Sequence, residues 1–216
     1  TGETRWADLS AYAEFDPRVT RVSWSPDGQL LFSVQDREQR WLELNEADPG
    51  TARVSKILRE TSPAWTENLP HPYWLNDGSF LWQSDRTGYR HIYHYSRHGR
   101  LIRQVTVGQW PVRELAGVDA AHGWVYFTGS REKIVETQAY RVQLTGSAIE
   151  QLTENGYHHD VNFDPQFGYF IDTYSNVATP TQVALRRTDG SLVRVISENH
   201  LDVLDEYAWC ESRLLQ

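Results

Sequence analysis

Residues 156–161 read Gly-Tyr-His-His-Asp-Val, and His158, His159 and Asp160 are side chains of the kind that bind metals. A tetrahedral zinc site needs converging ligands, whereas adjacent residues of an extended strand point to opposite faces. The sequence therefore predicts one histidine hydrogen-bonded to backbone here, and no metal. His71, His91, His94 and His98 stand apart from one another and read as structural or exposed. Arg86, in the Asp-Arg-Thr-Gly turn at 85–88, carries a planar fork suited to a carboxylate. In a hairpin turn its expected partner is an acid of a neighbouring loop rather than a ligand. Cys210 lies beside Glu211, whose carboxylate disfavours the reactive thiolate, so it reads as a packed or terminal thiol. Nothing marks one serine for a Ser/His/Asp triad, and no G-x-S-x-G elbow occurs anywhere in the sequence. The acidic tail (Glu198, Asp202, Asp205, Glu206, Glu211) lacks glycine-centred calcium-loop spacing and reads as a solvated face. No catalytic, substrate-binding or metal residue is assigned, and no cofactor is expected.

Net charge is −8 at pH 7, without a Lys/Arg run. That argues against nucleic acid or an anionic membrane as the main partner, since both favour a basic face. A single cysteine excludes an intrachain disulfide framework and any multi-cysteine zinc site. It leaves the compartment open between periplasmic or extracellular and cytoplasmic. No apolar run is long enough for a membrane span. The absence of methionine creates the expectation of a processed product or a piece of a longer protein.

The elements that must position these residues repeat. "VSWSPDGQLLFSV" (22–34) resembles "PYWLNDGSFLWQS" (72–84), while 117–130 and 161–175 keep the form with looser turns. The turn glycines Gly28, Gly78, Gly123 and Gly168 are 50, 45 and 45 residues apart, and a second strand pair follows each. Four strands per roughly 45 residues is the period of a β-propeller blade. A β-sandwich also has short alternating strands but requires no fixed period. The sequence thus predicts an all-β chain of four-stranded antiparallel propeller blades near 20–65, 70–112, 113–158 and 159–199. Residues 3–15 read as a short helix or a leftover strand. In "SDRTGYRHIYHYSRHG" (84–99), Tyr89, His91, Tyr93 and Tyr95 alternate with Arg90, Ile92 and His94. The alternation predicts a strand over 89–95 buried on both faces, with Trp82 and Ile92 in the core between blades.

The order of "SDRTGYRHIYHY", "GQWPV", "YFTGS", the stretch 151–180 and "DGSLVRVISEN" resembles the last blades of the propeller of dipeptidyl peptidase IV-type serine peptidases, in the prolyl oligopeptidase superfamily. The resemblance covers about residues 20–210. It implies four blades of an eight-bladed propeller, followed by a linker into an α/β-hydrolase domain. Members release N-terminal dipeptides with Pro or Ala second, using a Ser/Asp/His triad and no cofactor. The paired glutamates that grip the substrate's amino group belong to an earlier blade and have no counterpart here. An aromatic and an arginine from the region of 62–74 approach the substrate in the family. Trp65 matches the aromatic, but no Arg or Lys occurs between 62 and 74, so no substrate-binding residue is carried over.

The expected organisation is a remnant of a preceding blade or short helix at 1–18, four blades at 19–199, and a linker toward a hydrolase domain at 200–216. The expected function is a non-catalytic propeller segment that gates access in a serine dipeptidyl-peptidase, inactive alone. The alternative is a free-standing propeller scaffold binding a protein or glycan. Expected partners are the hydrolase domain, the remaining blades and the parent's peptide substrate. Two bare blade faces also predict a homodimer, in which the first blade of one copy meets the last blade of the other.

Overall fold

A computed structural model describes residues 2–146 and 148–202. Sixteen strands form four antiparallel sheets, each with its strands in sequence order. The first sheet holds β1 (Pro17–Trp24), β2 (Leu30–Asp36), β3 (Trp41–Ala47) and β4 (Val54–Thr61); the second holds β5 (Tyr73–Trp74), β6 (Phe80–Ser84), β7 (His91–Tyr95) and β8 (Leu101–Gln104). The third holds β9 (Val112–Asp119), β10 (Trp124–Gly129), β11 (Gln138–Gln143) and β12 (Glu150–Gln151); the fourth holds β13 (His158–Phe163), β14 (Tyr169–Ser175), β15 (Gln182–Arg187) and β16 (Leu192–Ser197). The described residues are all-β and form four propeller blades, the share of an eight-bladed ring that the resemblance implied. The sheets span 17–61, 73–104, 112–151 and 158–197. Two compact units divide at Val107 and Gly108, each holding two sheets.

In the first unit, Leu31, Leu42 and Leu44 of the first sheet share a buried core with Phe80, Trp82, Tyr93 and Tyr95 of the second. Phe80 pairs with Tyr95 and Trp82 with Tyr93 across β6 and β7, so the four aromatics share one face. A fully buried side chain of this size contributes roughly 1.5–3 kcal/mol. On the other face of β7, Ile92 is fully buried and its N–H donates to Thr106 Oγ1 at 2.9 Å. Both faces of the strand are covered, as its residues dictate. The turn between β7 and β8 brings Gly99 against the β4 backbone, where an added Cβ would lie 1.8 Å from the Ile57 carbonyl oxygen. Only glycine allows that approach.

In the second unit, Tyr126, Ala139 and Leu152 pack against Phe170, with Phe163 and Phe167 beside them. Phe167 stacks on Tyr126 at 5.3 Å and 8°. An added Cβ on Gly117 would meet that ring at 2.7 Å.

The structure corrects two local readings. The strand expected over 89–95 is β7, His91–Tyr95, and Tyr89 is exposed in the turn. Gly88, at φ +88°, closes that turn onto the Asp85 carbonyl, and Arg90 pairs with Asp85 and Glu67, so the turn consumes two more residues than alternation suggested. Residues 3–15 form neither an α-helix nor a strand; they hold a single 3-10 turn, Ser10–Tyr12, without a side-chain cap. In the turn of the fourth repeat Phe167 is left-handed, at φ +54°. Three Asp164 hydrogen bonds, to the amides of Gln166, Gly168 and Tyr169, hold it there.

Candidate functional site

Each sheet takes its strands in order, so the turns joining its first to second and its third to fourth strands lie at one end. The connection between its second and third strands, and the segment leading from its last strand, lie at the other end. Trp24, Leu101, Tyr169 and Leu192 are exposed where strands meet the turns of the first end. The turns at 25–29, 48–53, 75–79, 96–100, 120–123, 164–168 and 188–191 carry no exposed large apolar side chain. The connecting loops at the other end do. Trp65 (63%) and Tyr89 (40%) are exposed in the first unit, as are Ile134 (76%), Val135 (42%) and Val177 (63%) in the second.

In the first unit this end holds a groove of about 360 Å³ between 60–69 and the 85–88 turn, lined by Trp65, Pro63, Leu69, Glu60 and Arg86. Gln35 Nε2 donates to the Thr66 carbonyl and the Thr66 amide donates to the Gln39 carbonyl, fixing the loop to the first sheet. Buried Glu60 of β4 accepts from Trp82 Nε1 at 3.1 Å, from Ser84 Oγ at 2.8 Å and from Arg86 Nη2. Arg86 also donates to Tyr95 Oη and lies 4.4 Å over the Tyr93 ring. Burial pulls its pKa down, but Glu60 outweighs this and the guanidinium sits above its ordinary value. Arg86 is thus the inter-sheet tie expected of a hairpin-turn arginine, occupied by the chain's own carboxylate.

In the second unit a groove of about 680 Å³ lies between 133–136 and 175–178, over Tyr157 and His158. Asn176 Nδ2 donates to the Gly156 carbonyl and the Gly156 amide donates to Glu136 Oε2, joining the three loops. Burial raises the Glu136 pKa, but the Lys133 ammonium, the Gly156 amide and the Gln138 side chain together leave it lowered. Beneath, the two histidines part as strand geometry requires. His158 is exposed, while His159 is buried, with Nδ1 2.7 Å from Asp172 Oδ1 and Nε2 3.0 Å from the Glu154 carbonyl. Arg186 bridges Asp172 and Glu154 at 2.7 and 2.6 Å. Burial pushes the Glu154 carboxyl up and Arg186 more than reverses it. The backbone bond of His159 was legible; Asp172 was not, because its pairing with β13 needs the register. His159 and Asp160 face opposite ways, and no cluster of three metal-ligating residues occurs among the described residues.

His71 faces Ser23 Oγ at 3.0 Å, His91 faces Thr106 Oγ1 at 3.1 Å, and His94 faces Ser79 Oγ at 2.8 Å. Glu198 and Asp202 are exposed, whereas Asp205, Glu206, Cys210 and Glu211 lie outside the described residues. Each of these two grooves is edged by exposed apolar loop tips.

The sequence pattern of the family "Dipeptidyl peptidase IV (DPP IV) N-terminal region" matches residues 1–181. The chain belongs to the dipeptidyl peptidase IV N-terminal region family. A probable dipeptidyl-aminopeptidase B of Neosartorya fischeri is 30% identical over 197 residues, covering 83% of this chain and 21% of the relative. A probable dipeptidyl peptidase 4 of Aspergillus flavus is 22% identical over 220 residues, covering 95% of this chain and 28% of the relative. The crystal structure of Porphyromonas gingivalis dipeptidyl peptidase 4 superposes with a TM-score of 0.76 at 26% identity, over 85% of this chain and 26% of that one. The chain therefore spans between a fifth and a third of the length of these relatives. Among the described residues no helix is long and apolar enough to cross a membrane.

Proposed function

We propose that this chain is the non-catalytic propeller portion of a serine dipeptidyl-peptidase that removes N-terminal Xaa-Pro or Xaa-Ala dipeptides, the propeller restricting entry to peptides. The family match over residues 1–181 carries the reading. The missing G-x-S-x-G supports assigning no catalytic residue to this segment, and the closed charge networks around Glu60 and Asp172 support assigning no substrate-binding or metal residue. In this reading residues 1–18 lead into the first blade, 19–199 are the four blades, and 200–216 lead toward an α/β-hydrolase domain.

The apolar tips of the second unit's connecting loops, Ile134, Val135 and Val177, are a surface for that domain. Hydrolase and propeller portions expressed as separate chains from the parent gene would test this by co-purification. Ile134→Ser with Val177→Ser should weaken recovery of the complex without moving the propeller's melting temperature. Undiminished recovery would contradict the docking surface. A parent gene without a nucleophile elbow would leave the scaffold reading in its place.

A further inference from the structure

The groove of the second unit is held open by bonds within each of its walls. In the 133–136 wall the Lys133 ammonium pairs with Glu136 at 2.7 Å, and the Glu136 amide donates to the Lys133 carbonyl at 3.2 Å. In the 175–178 wall the Ala178 amide donates to Asn176 Oδ1 at 2.9 Å. Asn176 and Thr179 there exchange amide-to-carbonyl bonds of 3.2 and 3.3 Å. Val135, Val177 and Ala178 line the slot with Tyr157, and Lys133 and His158 are among the polar groups on it. A preformed slot loses little freedom when it is filled. It lies between loops of two adjacent sheets of one unit, at the end that carries the connecting loops. A further blade beside the fourth sheet would pack on that sheet's far face and leave this slot open.

The chain leaves the fourth sheet at the same end. β14 and β16 both start from turns of the opposite end, and they finish at Ser175 and Ser197. Only β15 separates them, so these two ends lie about 10 Å apart at the usual strand spacing. Ser175 itself lines the groove. Residues 198–202, if extended, cover about 17 Å, and Leu201 among them is exposed. The sequence then runs Val203, Leu204, Asp205, Glu206, Tyr207, Ala208, Trp209, Cys210. It offers apolar and aromatic side chains to a slot walled by valines, and two carboxylates to the Lys133 ammonium.

We propose that residues 203–209 of this chain seat in the groove between 133–136 and 175–178, with Tyr207 and Trp209 between Val135 and Val177 and the acids toward Lys133. The segment binds within its own chain and covers the inner sides of both valines. Its consequence rests on the function proposed above: the seated segment sets where the hydrolase portion starts, and Ile134 with the outer side of Val177 is left for that domain. The seat itself is tested on the 216-residue chain, so its failure would leave the peptidase reading standing.

Cys210 is the sole cysteine, so a thiol placed on a groove wall reports the seat directly. Val177→Cys and Val135→Cys put it on the two walls, and Gln166→Cys puts it in the turn at the opposite end; all three positions are exposed. Dilute full-length protein is treated with oxidised glutathione, which takes up the two electrons and two protons released as the two thiols join. Both wall variants should close an intrachain disulfide to Cys210, read by peptide mapping, at least about tenfold faster than Gln166→Cys, whose rate reports tethering alone. Adding Tyr207→Ser and Trp209→Ser to Val177→Cys should bring its rate down to that of Gln166→Cys. Wall rates equal to the turn rate, or trapping indifferent to the loss of the two aromatics, would overturn the proposal. Disulfides between chains in place of intrachain ones would overturn it as well, and would give the groove to a second copy.

Discussion

Removing the Glu60 carboxylate asks whether the Arg86 tie holds the first two blades together. Glu60→Ala leaves the Trp82 N–H and the Ser84 hydroxyl without their acceptor and strips the counter-charge from Arg86. Breaking a fully buried ion pair costs about 3–5 kcal/mol. The Arg86 side chain is 30% exposed, so water recovers part of its solvation and about 2 kcal/mol is the fitting share. Two orphaned buried donors add about 1 kcal/mol each. The total, about 3–4 kcal/mol, should lower the melting temperature of a unit this size by roughly 10 °C or more. Urea unfolding followed by circular dichroism supplies the free energy. Glu60→Gln, which keeps an acceptor and the volume, should cost about half as much or less. Arg86→Met completes a double-mutant cycle with an expected coupling of about 2 kcal/mol. A Glu60→Ala cost under about 0.5 kcal/mol, or additivity of the two changes, would refute the reasoning.

Ile92→Asp places a charge at a fully buried position in the centre of β7 and should cost several kcal/mol, about enough to unfold a domain of ordinary stability. An unchanged melting temperature would show that the strand is not interior. Burial depresses the His94 pKa below its ordinary 6.5, with Asp77 opposing and Arg103 assisting. The unfolded chain then binds the proton more readily, so this contribution is whole above pH 6.5 and is lost as the pH falls through the folded value. The urea midpoint should drop between pH 7 and pH 5, and His94→Gln should flatten that slope. An unaltered slope would remove His94 from the account.

The fold was legible because two independent periods agree. Alternation at two gave the strands, and the 50, 45, 45 spacing of Gly28, Gly78, Gly123 and Gly168 gave the blades. The Arg86 tie was readable in type, since a hairpin-turn arginine wants an acid, yet Glu60 itself was hidden. It lies 26 residues away, and only the packing of two sheets brings it to hydrogen-bonding distance. Asp172 was hidden in the same way, as its bond to His159 follows from the β13–β14 register. The seat of Tyr12 was illegible for a different reason. Residues 3–15 carry no clear period, and Tyr12 is held by tertiary contacts with Trp41, Glu43 and Asn45, which override local preference. Phe167 was equally illegible, since its left-handed backbone goes with a ring seated on Tyr126 and with the Asp164 turn bonds.

Hydrolysis of an Xaa-Pro amide by the purified 216-residue chain, beside a longer product of the parent gene that includes the hydrolase portion, tests the central claim most directly. The account predicts turnover by the longer protein, abolished by a serine-directed inhibitor, and none by this chain. Inhibitor-sensitive turnover by the 216-residue chain itself, surviving removal of contaminating peptidases, would contradict it.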